Sequence, residues 1–205
     1  MKVWGIAGVL LLSTIVPLSG QTKAEPEAIQ WLNWDQATSK SKEDKDKRKV
    51  LLNIYTSWCR WCDRMDQVTF SDPKVAKYIN DKYHAVKFDA EYKEDISFNG
   101  KVYKYVKNGK TGYHEFAAEL LNNRLSFPAV VILDEELQTI QTIMGFKPPQ
   151  SFECIISYFG SNQYKLTPWS AYERNCMPQA QPARSEKQSL PAQPKQSPQL
   201  RLIKN

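Results

Sequence analysis

Apolar positions change period several times along the chain, and each change marks an element. Ile29-Gln30-Trp31-Leu32-Asn33-Trp34 alternates, which predicts a strand with one solvated face, and a short helix is expected from Asp35 to about Lys47. The second half of that helix, Lys40 to Lys49, has mixed charge and almost no apolar residue, so it should face water. Val50-Leu51-Leu52-Asn53-Ile54-Tyr55-Thr56 is a continuous, largely apolar run, as expected of a central strand covered on both faces. From Cys59 onward Met65, Val68 and Phe70 recur at helical intervals. Ser71-Asp72-Pro73 then restarts a helix, with a capping residue before a proline at the first helical position. Ala85-Val86-Lys87-Phe88-Asp89 reads as the next strand, and a strand, a helix and a strand without a tight hairpin predict a parallel crossover.

Residues 91 to 112 have the pattern of an inserted segment. Within it Asn99-Gly100 separates Ile96-Ser97-Phe98 from Lys101-Val102-Tyr103, which predicts a two-residue hairpin. Gly112 is expected to end that stretch, and Phe116, Ala117, Leu120 and Leu121 give Tyr113 to Asn123 helical spacing. After Ser126-Phe127-Pro128, Ala129 to Leu133 predicts a buried strand, Asp134-Glu135-Glu136 a turn, and Thr139 to Met144 a second strand completing a hairpin. Pro149 to Phe159 is a closing helix with Gly160 as its stop. The aromatics Phe98, Tyr103, Tyr105 and Tyr113 of the insert are read as packing it, and His114 as structural.

The ends of the 205-residue chain have a different composition. Met1-Lys2, the apolar run Val3 to Val16 and the small residues Ser19 and Gly20 have the form of a signal peptide over 1–20. The run is shorter than the roughly 20 residues of a spanning helix, so an uncleaved anchor is the lesser reading. A linker over 21–28 follows. Beyond Pro178 the sequence is mostly Gln, Pro, Ser and Lys, and 177–205 is expected to be disordered. These segments also carry the charge. Of the formal +6, Lys2 supplies one, and Arg184, Lys187, Lys195, Arg201 and Lys204 against Glu186 supply a net four, which leaves +1 for residues 21–176. A nearly neutral folded part gives no reason to expect a nucleic acid partner.

The four cysteines form two unlike pairs, and export to an oxidising compartment permits disulfides in both. Cys154 and Cys176 are far from the others and are a candidate structural bridge pinning a C-terminal extension, 161–176, to the domain. Cys59 and Cys62 stand three apart in Trp58-Cys59-Arg60-Trp61-Cys62. A C-x-x-C pair is half a zinc site, a structural bridge or a dithiol that cycles. Zinc needs further ligands at knuckle spacing, and His84, His114, Cys154 and Cys176 do not supply it. A cycling dithiol belongs where a strand ends and a helix begins, since the helix N-terminus favours the attacking thiolate. The hydrophobic pattern puts the pair there. Cys59 is then expected as the nucleophile at the exposed helix start, and Cys62, one turn on and more buried, as the resolving thiol.

Trp58-Cys59-Arg60-Trp61-Cys62 after a hydrophobic strand, with Phe127-Pro128 before a strand hairpin, resembles the thioredoxin superfamily over roughly residues 29–160. It is most similar to exported bacterial thioredoxin-like proteins with a W-C-x-W-C motif, which are related to the periplasmic C-terminal domain of the transmembrane thiol–disulfide interchange protein. The resemblance implies an α/β thioredoxin fold: a central mixed sheet flanked by helices, here with an insertion of about 91–126 before the strand that follows Pro128. It also implies a cis peptide at Phe127-Pro128 beside the cysteines, with Phe127 offering backbone groups to a substrate strand. Trp58, Arg60 and Trp61 are expected to contact substrate with Phe127 and Pro128.

Two departures alter the expected chemistry. Thioredoxins carry a buried Asp six residues before the first Cys, and Asn53 stands there; an amide is no proton acceptor for Cys62, which leaves solvent or another carboxylate. Arg60 adds a cation beside Cys59, which favours the thiolate and tends to raise the reduction potential. The expected activity is reduction or isomerisation of disulfides in exported proteins, in the periplasm or outside the cell. A membrane thiol reductase would serve as electron donor, and the cysteine pair itself as the redox group in place of a cofactor. The same site run backwards is a disulfide-forming oxidant, and a thioredoxin-fold binding or scaffold protein is the reading from a different class.

Overall fold

The computed structural model describes residues 28–109 and 111–177. The expected signal peptide, nearly all of the linker and the tail from 178 on lie outside the described residues. Helix α1, Trp34–Glu43, leads into strand β1, Lys49–Tyr55. Helix α2, Arg60–Met65, runs on into a π-helical turn, Asp66–Phe70, before helix α3, Pro73–Lys82, and strand β2, Tyr83–Asp89. The insert forms two hairpins, β3 (Ile96–Phe98) with β4 (Lys101–Tyr103) and β5 (Tyr105–Asn108) with β6 (Thr111–His114), and then helix α4, Glu115–Leu120. Strands β7 (Ala129–Leu133) and β8 (Thr139–Met144) and helices α5 (Pro149–Gly160) and α6 (Trp169–Cys176) complete the described chain.

The main sheet has the order β2-β1-β7-β8, with β1 and β2 parallel and β7 antiparallel to both its neighbours. It is the expected mixed sheet with helices on both faces. The pleat explains the unbroken apolar runs. Val50, Leu52 and Ile54 of β1 and Ala129, Val131 and Leu133 of β7 face a core shared with α1, α4 and the insert. Leu51, Val130 and Ile132 face the opposite core, with Met65, α3 and α5. Asn53 and Lys87 fall on this second face by alternation, side by side in the β1–β2 register.

Four elements differ from the sequence reading. The strand expected at 29–34 is reduced to a single bridge, Leu32 to Val86, because Asn33 starts a helix instead. Its side chain accepts from the Gln36 N–H at 2.8 Å and its own N–H donates to Gln36 Oε1 at 3.0 Å, so a capping box outweighs an alternation only six residues long. The first helix ends at Glu43 rather than Lys47 because the Asp44 carboxylate turns the chain, accepting from the N–H groups of Asp46 and Arg48 and from Arg48 Nε at 2.8 Å. Asp44 is held down to about 2, its burial outweighed by those bonds. Finally, Gly112 does not end the insert but sits inside β6, under the Tyr105 ring, where a side chain has no room. The following helix is shorter than Tyr113–Asn123: His114 caps its start, and Asn122 and Asn123, at φ of 50° and 59°, turn the chain off after it. The expected Asn99-Gly100 hairpin forms, with φ of 50° and 75° at its two central residues.

Cys154 and Cys176 are joined in a disulfide between α5 and α6. Tyr158 packs there against Trp169 and Tyr172, with ring centroids 5.2 and 5.0 Å away, and donates its hydroxyl to the Thr167 carbonyl at 2.6 Å. Closing this separation of 22 residues contributes about 3 kcal/mol through the entropy of the unfolded chain.

Candidate redox site

Strand β1 delivers the chain to the site. The Cys59 N–H donates to the Thr56 carbonyl at 3.2 Å, which closes a tight turn between strand and helix. Cys59 becomes the N-cap of α2, its Sγ accepting from the Cys62 N–H at 3.1 Å and its carbonyl accepting from the same N–H at 2.9 Å. A sulfur at this position receives the partial positive charge of the unpaired N–H groups that open a helix. Cys59 and Cys62 are bridged, with Cα atoms 5.2 Å apart. Cys59 is less exposed than the sequence reading had it: with the bridge closed, 6% of Cys59 and 3% of Cys62 are accessible. One turn of helix places Cys62 under Cys59 and Trp58 and Trp61 outside.

Those tryptophans are the largest exposed apolar groups of the site, Trp58 at 64% and Trp61 at 62%. Trp58 meets Phe127 edge-on at 6.2 Å between centroids, and Trp61 leans on Phe146 at 5.6 Å. The peptide between Phe127 and Pro128 is cis. Phe127 is half-buried with no backbone hydrogen bond among the described residues, whereas Pro128 is buried and its carbonyl accepts from Gly145 at 2.8 Å. Arg60 is exposed and makes no ion pair among the described residues.

Behind the cysteines, Asn53 is buried with its Oδ1 unpaired among the described residues. Its neighbour Lys87 donates from Nζ to Asp66 Oδ2 at 2.7 Å. Asp66 stands four residues after Cys62, one turn further along the same side of the helix. The sequence reading did not single out Asp66 or Lys87. The available signal was the parallel register, which puts Lys87 beside Asn53 once the two strands are paired.

His114 is fully buried; its Nδ1 accepts from the Phe116 N–H at 3.1 Å and its Nε2–H donates to the Glu94 carbonyl at 3.0 Å. Only the neutral ring makes both bonds. Burial holds its pKa below the ordinary histidine value, against the opposing pull of the Glu94 carbonyl. Burial and the nearby Arg48 lower His84 in the same direction. For such groups the unfolded chain takes up protons first, so their stabilisation is complete above about pH 6.5 and is lost as pH falls through the depressed folded value. Urea unfolding should therefore show lower stability at about pH 5 than at about pH 7.5. His114→Asn, which keeps a capping acceptor but does not titrate, should remove part of that loss. An unchanged pH dependence in this variant would show that His114 does not contribute to it.

Residues 18–150 match the family model Thioredox_DsbH, described as a protein of unknown function, DUF255. The chain is 28% identical over 85 residues to the uncharacterized protein B0495.5 of Caenorhabditis elegans, which is 42% of this chain and 12% of that protein. It is 27% identical over 75 residues to spermatogenesis-associated protein 20 of Homo sapiens, 37% of this chain and 9% of that one. The matches thus cover a small part of these much longer relatives. Among solved structures, a thioredoxin-fold protein from Helicobacter pylori superposes with a TM-score of 0.51 at 19% identity, over 64% of this chain and 85% of that one, which shows the fold.

Proposed function

The chain belongs to the Thioredox_DsbH family, and with that as premise we propose that it is a thiol–disulfide oxidoreductase that reduces or isomerises disulfides through Cys59 and Cys62. The observation that carries this reading is the bridge at the start of α2, with Cys59 Sγ at the N-cap and Cys62 one turn below. In the reduced protein the Cys59 thiolate, favoured by the helix N-terminus and by the Arg60 cation, attacks one sulfur of a substrate disulfide. A mixed disulfide forms and the other substrate sulfur leaves as thiolate. The Cys62 thiolate then attacks Cys59 Sγ, closes the Cys59–Cys62 bridge and releases the second substrate thiol. Two electrons pass from the pair to the substrate, and a donor dithiol restores the pair by the same exchange.

Cys62 must lose a proton for the second step. Asn53 cannot take it, and Asp66, held by Lys87 on the same side of the helix, is the carboxylate we assign to accept it, directly or through solvent. The backbone of Phe127, unpaired among the described residues, and the faces of Trp58 and Trp61 suit an extended substrate segment laid across the bridge. The apolar run from Val3 to Val16 supports export, and so disulfide-bearing exported proteins as substrates with a membrane thiol reductase as donor. No helix among the described residues is long and apolar enough to cross a membrane.

The direction of electron flow follows from the reduction potential of the pair, read by equilibrating the protein with defined glutathione ratios and quantifying thiols. The expected value lies near the roughly −270 mV of thioredoxin. A value near the roughly −120 mV of a strong oxidant would replace reduction with disulfide formation.

A further inference from the structure

Next to the Cys59–Cys62 bridge lies a cleft of about 190 Å³ whose walls include Thr56, Trp58 and Phe127 on one side and Tyr113 of the insert on the other. Beyond it a wider depression of about 540 Å³ holds Asp89, Glu91 and Glu94 with Lys93. Glu91 and Thr111 line both, so the two form one groove leading away from the cysteines. Backbone hydrogen bonds fix its geometry: the Ala90 N–H donates to the Tyr55 carbonyl at 2.8 Å, and the His114 N–H donates to the Ala90 carbonyl at 2.6 Å. The hairpin of β5 and β6 is thereby tied to the end of β1 that carries the redox pair.

The two ends of the groove differ chemically. At the near end Trp58 is 64% exposed and Leu125 37%, an apolar surface open to solvent beside the reacting sulfur. At the far end Asp89, Glu91 and Glu94 make no ion pair among the described residues. Among the described residues the one cation lining this end is Lys93, whose Nζ rests 3.2 Å from the centroid of the Tyr105 ring in the same depression and forms no ion pair with a carboxylate. Three carboxylates with no cation paired to them among the described residues outnumber the single lysine beside them, and in line with an apolar surface and a redox-active sulfur they make a field that favours one kind of occupant.

We propose that this groove selects the substrate: an extended protein segment with an apolar side chain beside the attacked cysteine and basic side chains a few residues further along. The proposal rests on the thiol–disulfide reading above for the reaction that brings the segment there. The insert, in this assignment, supplies the wall that turns a general redox site into one with a charge preference. Exposed charge pairs are individually weak, so the discrimination is modest in size and shared among the acids.

The test uses two short peptides with Ser in place of the attacked Cys and Phe beside it, one carrying two Lys and the other two Glu at the following positions. Binding to the full chain is read by tryptophan fluorescence. The Lys peptide should bind about fivefold tighter. Glu91→Lys with Glu94→Lys should invert that order, an outcome that loss of folding does not produce, since a damaged fold would lose both peptides. Equal binding of the two peptides to the unaltered protein, or an unchanged preference in the charge-reversed variant, would overturn the assignment. Turnover of hydroxyethyl disulfide by the unaltered protein, which needs the cysteines and not the groove, judges the redox reading separately.

Discussion

Cys62→Ser protein, reduced and mixed with disulfide-bearing proteins, is expected to accumulate as a covalent mixed disulfide through Cys59, whereas Cys59→Ser protein is expected to form none. The asymmetry follows from the geometry. Cys59 Sγ is at the helix N-cap, where the unpaired N–H groups favour a thiolate, and Cys62 lies below it within the helix. Without Cys62 the first exchange proceeds and the second has no attacking sulfur. Without Cys59 the chain starts with the buried thiol alone. Both variants should lose turnover by on the order of a thousandfold, because a serine hydroxyl at neutral pH is a poor substitute for a thiolate. Non-reducing electrophoresis and mass measurement of the adduct read the result. Trapping by Cys59→Ser and not by Cys62→Ser would reverse the two roles, and a variant lacking both that still holds its partners would favour a binding protein over an enzyme.

Phe116→Ala should destabilise the protein by about 3–5 kcal/mol, a large part of the roughly 5–15 kcal/mol that a domain of this kind has in total. Phe116 is fully buried, and its ring centroid lies 4.6 Å from Trp34, 5.5 Å from Phe88, 5.5 Å from Phe98 and 5.4 Å from Tyr103. Those partners come from α1, β2, β3 and β4, so one ring joins the insert to the core of the main sheet. Truncation leaves a cavity at that junction, which backbone fixed by two hairpins and a helix cannot close. Guanidinium unfolding should show a lower midpoint. A cost under about 1 kcal/mol would mean that the insert packs independently of this ring.

Much of this was legible along the chain because local chemistry dictated it. The central strands announced themselves as apolar runs, Asp72-Pro73 and Asn99-Gly100 specified their own backbone, and the C-x-x-C pair sat where a strand gave way to a helix. The thioredoxin fold and the family followed from the same residues. The errors occurred where two local signals competed. At 29–34 an alternation lost to a capping box, and at Gly112 a presumed terminator turned out to be the gap that admits the Tyr105 ring. What only the tertiary structure decided are relations between residues far apart in sequence. Lys87 beside Asn53 and bound to Asp66, His114 between Phe116 and Glu94, and the insert's hairpin set against Trp58 and Phe127 all depend on strand register and on which face a segment covers. A single sequence fixes the pleat of each strand but not its neighbour, since pairing is chosen by the burial and hydrogen bonding of the whole sheet.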